Sequence, residues 1–246
     1  YTNGMAAWNL GCGARVARIV TRRWPRRWER LVADLGLHPD EVRGWEALAA
    51  AMYDGFDARS GVIEQFAGYF DREDVDLAAL EPRGAPVDLL LGAERVAATQ
   101  IVEQPGVLLL LQLLPQRFTP EVHRATFAYY DRRTAHDSSL SPSIHALAAL
   151  RVGDMAAAER HLRAAASIDL DPTAPHAAGG VHLGALGGLW QAVVFGIAGL
   201  RLTDEGPSLE PRLPGFVERL SLPFQWRERR WRAEIRLGSA RLLEGG

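Results

Sequence analysis

Residues 141–170, SPSIHALAALRVGDMAAAERHLRAAASIDL, constrain the fold of this chain more than any other stretch. Two runs dense in alanine and leucine flank Gly153 and Asp154. Those residues are the strongest helix formers, a glycine just past a helix accepts the left-handed conformation that ends it, and an aspartate caps the next start. The stretch is predicted to be an antiparallel helical hairpin. Such a pair needs further helices to bury its apolar faces.

The rest of the chain supplies them. From Asn3 to Arg23, Met5, Trp8, Leu10, Val16 and Val20 suit a helix with one buried face. Pro25 opens a second helix closed by Gly36 and Leu37, and HPDEVRGWEALAAAM, with Pro39 near its start, sets Val42, Trp45, Leu48 and Met52 on one stripe. EVHRATFAYY at 121–130 repeats the pattern, and GVLLLLQLL at 106–114 is short enough to be a buried helix. GGLWQAVVFGIAGL at 187–200 is a last buried helix, whose glycines imply close packing against neighbours. After Thr203 the helical period is lost in EGPSLEPRLPG. Alternation follows at Leu220, Leu222, Phe224 and Trp226, then at Trp231, Ala233, Ile235 and Leu237, which predicts half-buried strands. Arg227, Arg229, Arg230, Arg232 and Arg236 then form their solvent face. The expected organisation is mainly α, a helical domain over 1–202 and a β-sheet domain over 203–246.

Charge and composition remove several functions. The 28 basic and 30 acidic side chains leave a net charge of −2, without the cation surplus that nucleic-acid binding requires. No apolar run approaches the roughly 18 residues of a membrane span. The single cysteine, Cys12, leaves no internal disulfide and fits a reducing compartment, so the expected location is the cytoplasm. The chain opens YTNGMAAWNL, without a methionine and already in helical pattern, and is expected to be the C-terminal part of something longer.

Chemistry-bearing residues concentrate in HDSSLS, 136–141. Ser141 before Pro142 has the form of an N-cap with proline at the first helical position. The same helix start would offer free N–H groups and a positive dipole end, which suit phosphate. From the residues alone both readings stand. GCGARV at 11–16 lies within helical pattern and is no nucleotide loop. The seven histidines show no metal-ligand spacing. His145 and His161 read as structural side chains, on the surface or partly buried.

Five segments occur in a telling order: YTN running into AAWNL, GVIEQFAGYFD at 61–71, QIVEQPGVLLLLQLLP at 100–115, HDSSLSPSIHALAALRVGD at 136–154, and GGVHLGALGGLWQAVVFGIAGLR at 179–201. Together they resemble the C-terminal half of glycoside hydrolase family 65, over essentially the whole chain. The resemblance implies the C-terminal half of an (α/α)6 barrel followed by a small β-sheet domain. It implies an inverting phosphorylase that acts on an α-linked glucose disaccharide and releases β-glucose 1-phosphate. Inorganic phosphate is the co-substrate, no metal or other cofactor is expected, and a homodimer is common among similar enzymes. Ser138, Ser139 and His182 carry over as phosphate ligands, and hydroxyls and an imidazole can all donate to a dianion.

Two departures qualify this. The family's Lys-Gln-Ala-Asp, which contacts the transferred glucose, reads Glu103-Gln104-Pro105-Gly106 here. Gln104 is retained, Glu103 replaces a donor by an acceptor, and Pro105 is expected to disturb the local helix start. The family's general acid, a glutamate, is expected upstream of Tyr1, so these residues alone should be inert, because inverting cleavage needs a proton on the leaving oxygen. A hydrolase of the same family and a non-catalytic sugar-binding relative are the rival readings.

Overall fold

Where the sequence carries its clearest stop and start signals, the backbone obeys them. In the computed structural model, which describes residues 1–38, 40–170 and 180–245, Gly153 takes φ 83° and ends a helix at Val152. Its N–H and that of Asp154 return to the carbonyls of the closing turn, and the Asp154 carboxylate accepts from the Ala157 N–H at 2.9 Å to begin the next helix. Gly36 likewise ends the second helix at φ 63°. Pro39 and Gly179, both part of the patterns above, lie outside the described residues. Replacing Asp154 by Ala removes one charged cap, and chemical denaturation should read a loss of about 1 kcal/mol.

The helices are α1 Thr2–Arg23, α2 Pro25–Leu35, α3 Glu41–Ala51, α4 Val87–Leu91, α5 Ala93–Ala97, α6 Gly106–Leu113, α7 Pro120–Asp131, α8 Ser141–Val152, α9 Met155–Ser167 and α10 Leu183–Gln191. A π-helical turn, Ala192–Ile197, prolongs α10. A two-residue hairpin, β1 Phe56–Asp57 and β2 Val62–Ile63, interrupts the helices. After them come the antiparallel pair β3 Leu200–Thr203 and β4 Gly206–Leu209, and the meander β5 Arg219–Trp226, β6 Arg229–Arg236 and β7 Ser239–Gly245. The chain is thus mainly helical, with small antiparallel sheets at its C-terminal end. No helix among the described residues is long and apolar enough to cross a membrane.

The main core lies between α6, α7, α8, α9 and the π turn, around Leu108, Leu111, Tyr130, Leu147, Leu150 and Leu162. Leu113, at the end of the apolar run, is exposed. The tyrosines of this core are anchored at both ends. Tyr69 and Tyr130 stack at 5.9 Å, and their hydroxyls donate to the carbonyls of Gln100 and Ile63. Burial pushes both phenols up.

Several expectations about burial fail: Leu48 on α3 is exposed, as are Leu186, Trp190 and Phe195 along the expected last buried helix. The described α1 buries Ala7, Ala14 and Ala17, whereas Trp8 and Val16 are exposed. Small residues mark where this helix is approached closely: a Cβ on Gly4 would stand 2.8 Å from Leu110, and one on Gly13 3.3 Å from Trp45. In the meander the alternation holds through Ile235, with Phe224 stacked on Trp231 and the five arginines outside. Leu237 falls in the following turn and is 89% exposed.

Candidate active site at the helix N-termini

Four helices point the same way, and their N-termini gather at one end. A Cβ on Gly106 would stand 3.5 Å from that of Tyr1, and one on Gly4 meets Leu110, so α1 and α6 run parallel with their starts adjacent. Val102 and Thr134 pair as parallel strands, through Val102 N–H to the Arg133 carbonyl (2.8 Å) and Ala135 N–H to the Val102 carbonyl (2.9 Å). The segments Glu103–Pro105 and His136–Leu140 therefore leave side by side towards the starts of α6 and α8. Further along, Arg151 Nε donates to Gln112 Oε1 at 2.8 Å. Gly184 faces Leu140, Gly188 faces Ser143 and Gly196 faces Leu147 and Leu150, which makes α10 and its π extension parallel to α8. Each helix start leaves N–H groups without helical partners at the positive end of its dipole.

The HDSSLS turn divides its labour residue by residue. Asp137 is structural: it accepts from Arg83 at 3.1 and 3.2 Å and from the Val87 N–H at 2.9 Å. Arg83 also donates to the Ala135 carbonyl. Ser141 is not the N-cap expected from the sequence. It is the first residue of α8, with Leu140 before it, and its buried hydroxyl is 2.6 Å from His136 Nδ1. The physical reason is local: His136 takes φ 58°, which turns its ring back over the helix start and claims that hydroxyl. Ser143 Oγ donates to the Leu140 carbonyl at 3.1 Å.

Ser138 and Ser139 are left half-buried at the crown of the turn. Ser138 Oγ has only a long contact, 3.4 Å, from the Leu140 N–H, and the Ser139 side chain makes no hydrogen bond among the described residues. His182 stands at the N-cap position of α10, where its N–H and Nδ1 meet the Asp169 carboxylate at 3.0 and 2.7 Å. That contact holds the Asp169 carboxyl below its usual range. Glu103 and Gln104 are exposed on the loop before α6. Pro105 does not disturb the helix start: it occupies the N-cap, where its missing N–H costs no helical bond. The structure thus brings Glu103 and Gln104 to the same end as Ser138 and Ser139, and Gly184 brings the His182 segment against Leu140.

One residue at this end escaped the sequence reading. Gln65 lies 3.8 Å through Nε2 from the Cβ position of Gly106, and its Oε1 is buried without a partner. An unsatisfied amide oxygen beside a helix start marks a site that a ligand hydroxyl can complete. Its position inside GVIEQFAGYFD was the available signal.

Behind the turn lies a second constellation. His136, His145 and His161 have ring centroids 4.5 to 5.1 Å apart, and Asp131 Oδ1 is 2.7 Å from His161 Nε2. His145 and His161 are buried rather than at the surface, and with His136 they are neighbours in space. Burial first, and the neighbouring histidines next, push His136 down to about 3 and His145 to about 4. Burial is the largest influence on the Asp131 carboxyl and works against its charged form, but the His161 hydrogen bond and the nearby charges of His161, His145 and Arg160 together hold it below its usual range.

Comparison with known proteins agrees with this architecture. The family model of the glycosyl hydrolase family 65 central catalytic domain matches residues 1–191. A kojibiose phosphorylase of Caldanaerobacter subterraneus subsp. tengcongensis is 33% identical over 92% of this chain and 30% of its own length. An alpha,alpha-trehalose phosphorylase of Thermoanaerobacter brockii is 30% identical over 94% and 30%, and a maltose phosphorylase of Bacillus subtilis is 28% identical over 93% and 29%. The chain therefore spans less than a third of the length of these relatives. A solved structure titled putative kojibiose phosphorylase from human microbiome shares the fold, with TM-score 0.81 and 23% identity over 89% of this chain and 30% of that one. By its catalytic-domain match and these relatives, the chain belongs to glycosyl hydrolase family 65.

Proposed function

We propose that this chain carries the phosphate-binding part of an inverting α-glucoside phosphorylase. The observation that carries the reading is the gathering of helix starts around the HDSSLS turn, with Ser138 and Ser139 uncommitted at its crown. Hydroxyls, helix N–H groups and the His182 imidazole would converge on one dianion. The parallel set α1, α6, α8 and α10 would belong to the inner ring of an (α/α)6 barrel whose cavity holds the sugar, with the sheet module from residue 203 outside it. Exposed Gln104 and the unsatisfied Oε1 of Gln65 would bind glucose hydroxyls.

In this reaction a glutamate upstream of Tyr1 protonates the glycosidic oxygen. Phosphate held by Ser138, Ser139 and His182 attacks the anomeric carbon from the opposite face and yields β-glucose 1-phosphate, with no cofactor. One observation favours a second reading. Glu103 is an exposed carboxylate beside the same turn, and a hydrolase needs a base there to activate water.

The test uses the complete enzyme on kojibiose, trehalose, maltose and nigerose, with and without phosphate, and assays glucose and glucose 1-phosphate separately. Glucose 1-phosphate that appears only with phosphate supports the proposal; phosphate-independent glucose release supports the hydrolase. Ser138→Ala or His182→Ala should weaken phosphate use by about one to two orders of magnitude, since a hydrogen bond to a charged group contributes roughly 1.5–3 kcal/mol. Thr119→Ala, which removes the cap of the oppositely directed α7, should leave phosphate dependence unchanged.

A further inference from the structure

The histidine cluster behind the turn has a different chemistry from the anion seat. Its ligand atoms come from the end of α7 (Asp131), the turn (His136) and α9 (His161), and those atoms all lie within 4.8 Å of one another. A tetrahedral zinc ion with bonds of about 2.0–2.1 Å holds its donors roughly 3.3 Å apart, so small side-chain rotations suffice to close the set. The same three residues line a cavity of about 840 Å³, which gives an ion a way in.

Outer contacts orient His136 and Asp131, while His161 Nε2 meets Asp131 Oδ1 at 2.7 Å and Arg160 at 3.4 Å, contacts an ion would replace. His136 Nδ1 is occupied by Ser141 Oγ, which leaves Nε2 for a metal. Asp131 Oδ2 is held by Arg160 at 2.9 Å while Oδ1 points at His161. His145 adds an independent sign. Its Nδ1 is fixed by the Ser141 carbonyl at 3.0 Å, and its Nε2 is buried without a partner, in a residue 0% exposed whose ring sits against those of His136 and His161.

We propose that Asp131, His136 and His161 form a zinc-type divalent metal site, with the buried His145 ring beside it. Two imidazoles and one carboxylate suit zinc or a similar transition ion and not magnesium. With three protein donors the fourth position of a tetrahedral ion is open to the cavity they line. The site ties α7 and α9 to the turn that carries Ser138 and Ser139. It needs no phosphorolysis, so it stands or falls apart from the reading above.

The experiment titrates the chelator-treated, folded protein with zinc chloride in phosphate-free buffer, by calorimetry and thermal melting. One equivalent should bind per chain and raise Tm, magnesium should do neither, and cobalt should give the visible spectrum of a tetrahedral site. His161→Gln and Asp131→Asn should each weaken zinc binding by more than about tenfold, the range seen even for outer-shell partners. His38→Gln, an exposed histidine outside the cluster, should bind as the parent does. Circular dichroism identifies a variant that fails to fold, and His136→Gln then takes its place with the same expectation. The absence of stoichiometric zinc uptake by the folded parent overturns the proposal. So does undiminished uptake by folded His161→Gln or Asp131→Asn, or loss of uptake in His38→Gln.

Discussion

Gly199→Ala should destabilise the protein by more than about 4 kcal/mol, enough in a marginally stable domain to leave much of it unfolded at 37 °C. Gly199 joins the π turn to β3 at φ 59°. Left-handed backbone alone costs an L-residue roughly 1–2 kcal/mol. The larger part is steric: a Cβ here would overlap the Glu210 carbonyl and stand 3.0 Å from the Glu210 Cα. Backbone cannot swing aside as a side chain can, and Glu210 is held in place by its N–H to the Gly199 carbonyl at 3.1 Å and by Arg212 N–H to the Ile197 carbonyl at 2.8 Å. Gly238 provides the comparison, since it has φ 74° and open space around its Cβ position. Urea unfolding of Gly238→Ala should show only the conformational part. Equal losses in the two variants would mean that the Glu210 contact is not what fixes the junction of helices and sheet.

Asp137→Ala should cost about 1.5–3 kcal/mol, the range for a lost hydrogen bond to a charged group, since Arg83 keeps Glu81 as a second partner at 2.7 Å. The Arg83 side chain is 13% exposed and that of Asp137 21%, so water replaces the lost carboxylate poorly. The Val87 N–H at the start of α4 loses its acceptor at the same time. The exposed pair Arg18–Glu46 is the control, and Glu46→Ala should change stability by less than about 1 kcal/mol. If Asp137→Ala proves as mild, Asp137 is free to serve a ligand and the division of labour within the turn must be redrawn. Removing Arg83 as well, as Arg83→Met with Asp137→Ala, should add to the loss, because Arg83 also pairs with Glu81 at 2.7 Å and donates to the Ala135 carbonyl.

What the sequence made legible follows from how local each signal is. The α8–α9 hairpin is specified by Gly153 and Asp154 within two positions, and the meander by a period of two from Leu220 to Ile235; neither depends on distant residues. The buried face of α1 was misjudged because large apolar side chains were expected inside. Close helix approach selects the smallest residues instead, and Ala7, Ala14 and Ala17 are the ones enclosed. Ser141 was misassigned because an N-cap is inferred from the residue and its proline, whereas the left-handed turn at His136 is set by what the ring finds in three dimensions. The histidine cluster left no trace in spacing. Its members come from α7, a turn, α8 and α9, and only the packing of those helices makes them neighbours.

The glycines between α8 and α10 set a limit of another kind. At Gly184, Gly188 and Gly196 a single added carbon would already press on Leu140, Ser143 and Leu150. No residue is smaller than glycine, so the two helices stand at their minimum separation, and a substitution on this α10 seam can only move them apart. The HDSSLS turn and the His182 loop sit at the open end of that seam. Sequence change along it therefore runs in one direction, towards a wider gap and a larger occupant, and a return to a tighter one requires the glycine back.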